Sequence, residues 1–225
     1  MLFLYLRSLM EEFTNNYINE LNDGQRAAVL YTQGPSLVIA GAGSGKTRVL
    51  TYKIAHLLQQ GYRPWSILAL TFTNKAAREM KERIANLVGG ESARYLWMGT
   101  FHSIFSRILH ANAEYLGFRS DFTIYDTDDS LRVIKECMKT LNLDDKQFSP
   151  RAILSAISAA KDTMEQPGMF PAGGDYFEQT AAKVYALYHK TLKEANALDF
   201  DDIILLTVQL FEQYPEVLEK YRRRF

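Results

Sequence analysis

Eight residues, Ala40-Gly41-Ala42-Gly43-Ser44-Gly45-Lys46-Thr47, carry the clearest chemical signal in the chain. They fit the glycine-rich phosphate-loop pattern, with Ala40 in place of the first glycine. Glycines let the backbone curl so that successive N–H groups point at phosphate oxygens. A helix beginning at the end of the loop presents its positive end to the same anion. A lysine in the place of Lys46 reaches the β- and γ-phosphates, and a hydroxyl in the place of Thr47 ligates Mg²⁺. Lys46 and Thr47 are therefore the candidate catalytic residues, and Thr47 the candidate metal ligand. A plain glycine-rich turn is the competing reading, and the flanking elements weigh against it. By itself such a loop does not choose among kinases, GTPases, motors and helicases.

The elements around the loop read as alternating strands and helices. Ser36–Ala40 (SLVIA) is short, apolar and preceded by Gly34-Pro35, which predicts a buried strand. The helix after the loop places Leu50, Ile54, Leu57 and Leu58 on one stripe and ends at Gly61. Ile67–Thr73 predicts a second strand. Its following helix carries Ala77, Met80, Ile84 and Leu87 and stops at Gly89-Gly90, with Asn74 as a candidate cap. Tyr95–Gly99 predicts a third strand and Phe101–Tyr115 another helix. This order predicts an α/β fold with a parallel sheet covered by helices.

Beyond Gly117 the pattern turns helical, with Phe122–Tyr125 the one expected strand. Leu131, Ile134, Met138 and Leu141 form a stripe, Ser149-Pro150 opens a further helix, and Gln166–Gly174 reads as a loop. A long helix is expected over about 176–196, with Val184, Leu187, Tyr188 and Leu192 inward. Asp199–Phe225 is expected to be helical as well.

Five segments, in order, resemble the superfamily 1 DNA helicases of the UvrD/Rep/PcrA type. Leu21–Val29 resembles the Q motif, and the resemblance gives Gln25, 21 residues before Lys46, the role of reading the adenine edge. A carboxamide both donates and accepts, which suits that edge. Arg48 matches an arginine that lies against adenine in relatives, and a guanidinium plane stacks well on a base. Thr71–Ala77 (TFTNKAA) resembles motif Ia. There Phe72 would stack on a base while Thr73, Asn74 and Lys75 contact phosphates of single-stranded DNA. Gly99–Ser103 (GTFHS) resembles motif Ib, with His102 and Ser103 facing the DNA backbone. Leu198–Asp202 resembles the segment that re-enters the ATPase domain after an insertion.

Each of these residues also has an ordinary structural reading. Gln25 and Arg48 could be surface residues, Phe72 a core residue at a strand end, and His102 a capping or packing group. Asp199, Asp201 and Asp202 could form a metal site, but acids at a helix start more simply favour the helix dipole.

The resemblance covers about Tyr17 to Phe225 and implies a P-loop, RecA-like domain 1A over 1–110, a mostly helical insertion 1B over 111–197, and a return to 1A over 198–225. It implies ATP and Mg²⁺ as ligands and single-stranded DNA and single/double-strand junctions as partners. It also implies 3′-to-5′ movement, a role in DNA repair or replication, and a cytoplasmic setting. The family's next element is a strand ending in Asp-Glu-x-Gln, which is absent from these residues. That predicts a fragment that binds nucleotide without hydrolysing it. A nucleotide kinase leaves the TFTNKAA and GTFHS segments unexplained. A helicase-nuclease of the RecB or AddA type shares these motifs but carries larger insertions. A non-enzymatic module with a vestigial loop sits poorly with an intact Lys46-Thr47.

Composition constrains less. Lys plus Arg and Asp plus Glu are balanced at 26 each, so any nucleic-acid surface must be local. Cys137 is the only cysteine, which excludes an intrachain disulfide and a thiolate metal cluster. The N-terminal MLFLYLRSLM is too short an apolar run to span a membrane, and Met10 is a candidate natural start.

Overall fold

The computed structural model describes residues 18–165, 167–169 and 174–225. The MLFLYLRSLM stretch with Met10 lies outside the described residues, as does part of the expected loop at 166–174. The chain forms two compact units. One is the described part of residues 1–100 with Arg224 and Phe225, and the other is Phe101–Arg223.

In the first unit, α1 (Asp23–Leu30) opens with a capping box. The Asn22 side chain accepts from the Gln25 backbone at 2.9 Å, and Gln25 Oε1 accepts from the Asn22 backbone at 3.2 Å. Then follow α2 (Lys46–Gln59), β1 (Leu68–Thr71), α3 (Asn74–Val88), a short α4 (Gly90–Arg94) and β2 (Trp97–Thr100). The strands pair in parallel, Leu68 opposite Trp97 through Thr71 opposite Thr100. Parallel neighbours need a crossover, and α3 supplies it. Met80 and Ile84, one turn apart on α3, are buried with Ile54 of α2 and with Ile67, Ala69, Ala93 and Leu96. Each buried Ile, Leu or Met among these contributes about 1.5–3 kcal/mol through its removal from water.

Several expectations need correction here. Ser36–Ala40 is not a paired strand, and Leu37 and Ile39 are 85% and 89% exposed. Its apolar pattern demands cover, but among the described residues no strand pairs with it. Leu50 also faces outward at 40% exposure, and Thr51, Ile54, Ala55 and His56 form the buried face of α2. The cap of α3 is Thr73, whose hydroxyl accepts from the Ala76 backbone at 3.1 Å, rather than Asn74. Gly89-Gly90 ends α3 as expected, but the chain re-enters a helix at once through Gly90.

The second unit contains α5 (Phe101–His110), β3 (Thr123–Ile124), α6 (Thr127–Thr140), α7 (Pro150–Asp162), α8 (Tyr176–Glu194), β4 (Ala197–Leu198), α9 (Phe200–Gln213) and most of α10 (Pro215–Arg224). Helices α6, α7 and α8 close on one core, built around Ile134, Met138, Ile153, Ile157, Val184, Tyr185 and Tyr188. β3 and β4 pair in parallel, Thr123 with Ala197 and Ile124 with Leu198. β4 is two residues long, too short to leave a period-2 pattern. The segment 199–225 is helical as expected, divided into two helices. Pro215 lacks a backbone donor and forces Tyr214 out of the helical region, to φ −127° and ψ 79°. The unit takes in α5, which packs on α9.

Candidate functional site

The phosphate loop curls as its glycines require. Gly43 and Gly45 have φ of 75° and 86°, a region costly for any residue with a Cβ. Between them the Ser44 hydroxyl donates to Gly41 O at 2.7 Å, closing a turn. Gly45 has a second constraint, since a Cβ there would meet Gln25 Nε2 at 2.7 Å. α2 starts at Lys46 with no side-chain cap and no acid in its first turn. Its first N–H groups therefore have no intrahelical acceptor, and their dipole favours an anion. Lys46 Nζ donates to Ala40 O at 2.8 Å and Gly41 O at 2.6 Å, holding the ammonium across the exposed loop. Among the described residues no carboxylate pairs with it. Thr47, next along the helix, is exposed.

Gln25 buttresses this loop. Its Oε1 is taken by the α1 capping box, and its Nε2 donates to Ser44 O at 2.9 Å. Arg48 is held by Glu20, Nη2 to Oε2 at 2.6 Å, and its guanidinium carbon lies 5.2 Å from the centre of the Tyr52 ring. The Tyr52 hydroxyl donates to the same Glu20 oxygen at 2.9 Å. These two bonds, Tyr52 first and Arg48 second, hold the Glu20 carboxyl below its usual range. Sequence reasoning missed Glu20 and Tyr52. Tyr52 was open to discovery, since it lies one turn beyond Arg48 on the same face.

The motif Ia residues sit at the end of β1. Phe72 is 93% exposed, which removes the core-residue reading. The Thr71 hydroxyl donates to Thr73 O at 3.0 Å, and Thr73 caps α3, so both fix the turn that displays Phe72. Asn74 and Lys75 are exposed in the first turn of α3, and Lys75 has a loose 3.9 Å pair with Glu79. Thr71 and Thr100 are register partners, so the TFTNKAA and GTFHS segments leave the same end of the two strands. In the second unit His102 is half-buried, edge-on to the Phe200 ring at 5.8 Å, and Ser103 is exposed. Phe200 is itself 47% exposed, a surface aromatic that sequence reasoning did not single out.

The acidic segment 199–202 has a different role. Asp199 caps α9 and forms a capping box with Asp202. Lys161 from α7 lies 2.7 Å from both carboxylates, with its own side chain 1% exposed, and the Tyr188 hydroxyl donates to Asp199 at 2.9 Å. Burial pushes the Asp202 carboxyl up to about 6. Burial opposes the Lys161 charge, but Asp202 and Asp199 outweigh it and hold the ammonium above its usual range. Among the described residues no group of three or more His, Cys, Asp or Glu side chains is arranged to hold a metal. No described helix is long and apolar enough to cross a membrane.

Comparison with known proteins bears directly on these residues. The sequence matches the UvrD/REP helicase N-terminal domain over residues 21–225. It is 49% identical over 218 residues to the ATP-dependent DNA helicase PcrA of Bacillus subtilis (strain 168), covering 96% of this chain and 29% of that protein. The PcrA of Leuconostoc citreum is 49% identical over 209 residues, 92% of this chain and 28% of the relative. The PcrA of Staphylococcus aureus (strain Mu50 / ATCC 700699) is 48% identical over 213 residues, 94% and 29%. The chain thus spans under a third of the length of these relatives. With the domain matched over nearly all of its residues, the chain belongs to the UvrD/REP helicase N-terminal domain family.

Proposed function

We propose that this chain is the ATP- and single-stranded-DNA-binding portion of an ATP-dependent 3′-to-5′ DNA helicase that serves DNA repair or replication in the cytoplasm. In this reading residues 1–110 and 198–225 belong to a RecA-like domain 1A and residues 111–197 to an inserted domain 1B. The helicase part of this reading is supported by the match to the UvrD/REP helicase N-terminal domain over residues 21–225, and the nucleotide-binding part is carried by the loop at 40–47. An unneutralised lysine, a curled glycine backbone and an uncapped helix start converge there on one exposed surface.

In this reading the backbone N–H groups of Gly41–Thr47 bind the triphosphate, and Lys46 exchanges its two carbonyl partners for β- and γ-phosphate oxygens. The exposed Thr47 hydroxyl, with no acid nearby in its turn, fits one ligand position of Mg²⁺, which when bound offsets phosphate charge. Arg48 takes the base together with Gln25, which exchanges its bonds to the Asn22 backbone and Ser44 O for the adenine edge, and the two select ATP. Phe72 stacks on a base of single-stranded DNA while Thr73, Asn74, Lys75, His102 and Ser103 meet its backbone. Single/double-strand junctions are the partner of the complete enzyme.

The test is equilibrium binding of Mg·ATP and of oligo(dT) to the 225-residue chain. Binding of both is expected, with no measurable hydrolysis, because no Asp-Glu-x-Gln carboxylates are present to activate water. DNA-stimulated ATPase activity that disappears in Lys46→Ala would contradict the second expectation. Failure to bind either ligand would sink the first.

A further inference from the structure

The Arg48 guanidinium is a candidate base contact held by side chains, with a carboxylate along one edge and an aromatic ring beside it. Its partners lie far apart in sequence. Tyr52 is the next turn of α2, whereas Glu20 lies 28 residues upstream. We propose that Glu20 and Tyr52 are positioning residues that set the Arg48 guanidinium as a platform for the nucleotide base. The proposal rests on the reading that Arg48 meets the base.

One Glu20 oxygen accepts from Arg48 Nη2 at 2.6 Å and from the Tyr52 hydroxyl at 2.9 Å, so a single carboxylate fixes both side chains. The Tyr52 ring lies beside the guanidinium at 5.2 Å, a cation–π distance. Yet the Arg48 side chain stays 42% exposed. Held on one side by a ring and along one edge by a carboxylate, the guanidinium keeps open surface for a further planar group.

Glu20 is itself anchored. Arg26 Nη2 donates to Leu21 O at 2.9 Å, its Nε to Ile18 O at 3.4 Å, and Leu21 is buried. Arg26 is the neighbour of Gln25 on α1, and Gln25 is bonded to the phosphate loop. One helix start therefore places Gln25 directly and Arg48 through Glu20. Stability does not explain the arrangement, because an exposed ion pair contributes little to folding. Orientation does, since a flexible arginine fixed before binding loses less freedom when the base arrives.

The experiment measures the affinity of the 225-residue chain for Mg·ATP and for inorganic tripolyphosphate, which has no base. Glu20→Ala is expected to weaken ATP binding about three- to tenfold and to leave tripolyphosphate binding unchanged. Glu20→Gln, which retains an acceptor, should restore part of the loss. Tyr52→Phe, which keeps the ring, should also fall between wild type and Glu20→Ala. In an Arg48→Ala background, Glu20→Ala should have no further effect.

Unchanged or tighter ATP binding in Glu20→Ala, beside weakened binding in Arg48→Ala, overturns the positioning role and leaves the base reading intact. Wild-type ATP affinity in Arg48→Ala overturns the base reading itself, and the proposal with it. An equal loss of tripolyphosphate and ATP in Glu20→Ala shows damage to the loop and also overturns the proposal. Glu20 is exposed, so these variants should fold, and a thermal melt of each verifies it.

Discussion

Lys46 and Lys161 are the same chemical group put to opposite uses. Lys46 is exposed, holds two backbone carbonyls and has no acidic partner among the described residues. Lys161 is 1% exposed and sits between two carboxylates under the rings of Tyr185 and Tyr188. Carbonyl partners leave Lys46 with its full charge, so an anion finds it unneutralised. Carboxylate partners cancel the charge of Lys161 and fasten α7 to the start of α9. In the proposed reading Lys46 serves a ligand, whereas the bonds of Lys161 serve the fold.

The comparison is broken most easily at Lys161. Lys161→Met removes the cation and leaves Asp199 and Asp202 facing each other in a buried site. The expected cost is about 3–5 kcal/mol of unfolding free energy, measured by urea denaturation of the 225-residue chain. A change below about 0.5 kcal/mol, within the range of ordinary surface substitutions, would mean that the cluster does not hold these helices. Lys46→Ala should do the reverse. Stability should shift by under about 0.5 kcal/mol, while Mg·ATP affinity falls by about ten- to a hundredfold, as expected for a lost hydrogen bond to a charged group. If Lys46→Ala instead unfolds the chain, its carbonyl bonds are structural and the contrast collapses.

The two lysines also show what a sequence can reveal. The phosphate loop was legible because its chemistry is local, with the glycine backbone, the lysine and the helix start adjacent in the chain. The same holds for the α3 stripe of Met80 and Ile84. Lys161 was not legible, because its partner Asp199 is 38 residues away and nothing in either neighbourhood points to the other. Glu20 and Arg48 were hidden in the same way. Ser36–Ala40 failed for another reason. An apolar pattern records the surface a segment would bury, while the cover must come from elsewhere in the fold, and here Leu37 and Ile39 remain exposed. Thr73 and Asn74 differ by one position, and both are good caps, so geometry alone separates them.

Phe72 extends the comparison from lysines to aromatics. Tyr185 and Tyr188 are fully buried in the second unit, whereas Phe72 is 93% exposed at the end of β1. Phe72→Ala should therefore cost little stability and weaken oligo(dT) binding by about 1–3 kcal/mol, the loss of one stacked base. Fluorescence anisotropy with labelled oligo(dT) reads this directly. Equal affinity in wild type and variant would remove Phe72 from the DNA surface and leave the exposed ring without a role.

The smallest expected effect concerns His189, which lies near the same buried lysine. Burial, then the charges of Lys161 and Lys193, hold its imidazole below the usual value of 6.5. The unfolded chain then binds a proton more readily than the folded one wherever pH lies between the depressed value and 6.5. Stability is thus full above that unfolded value and is lost as pH falls through the window. A melting temperature that declines on acidification from pH 7.5, with a shallower decline in His189→Gln, is the expected result. Asp199 and Asp202 titrate in the same unit, so the difference between wild type and variant is the measured quantity. An identical pH slope in the two proteins would show that the imidazole does not feel the Lys161 charge. The reach of that charge would then end at its carboxylates, making Lys161 the more completely neutralised of the two lysines.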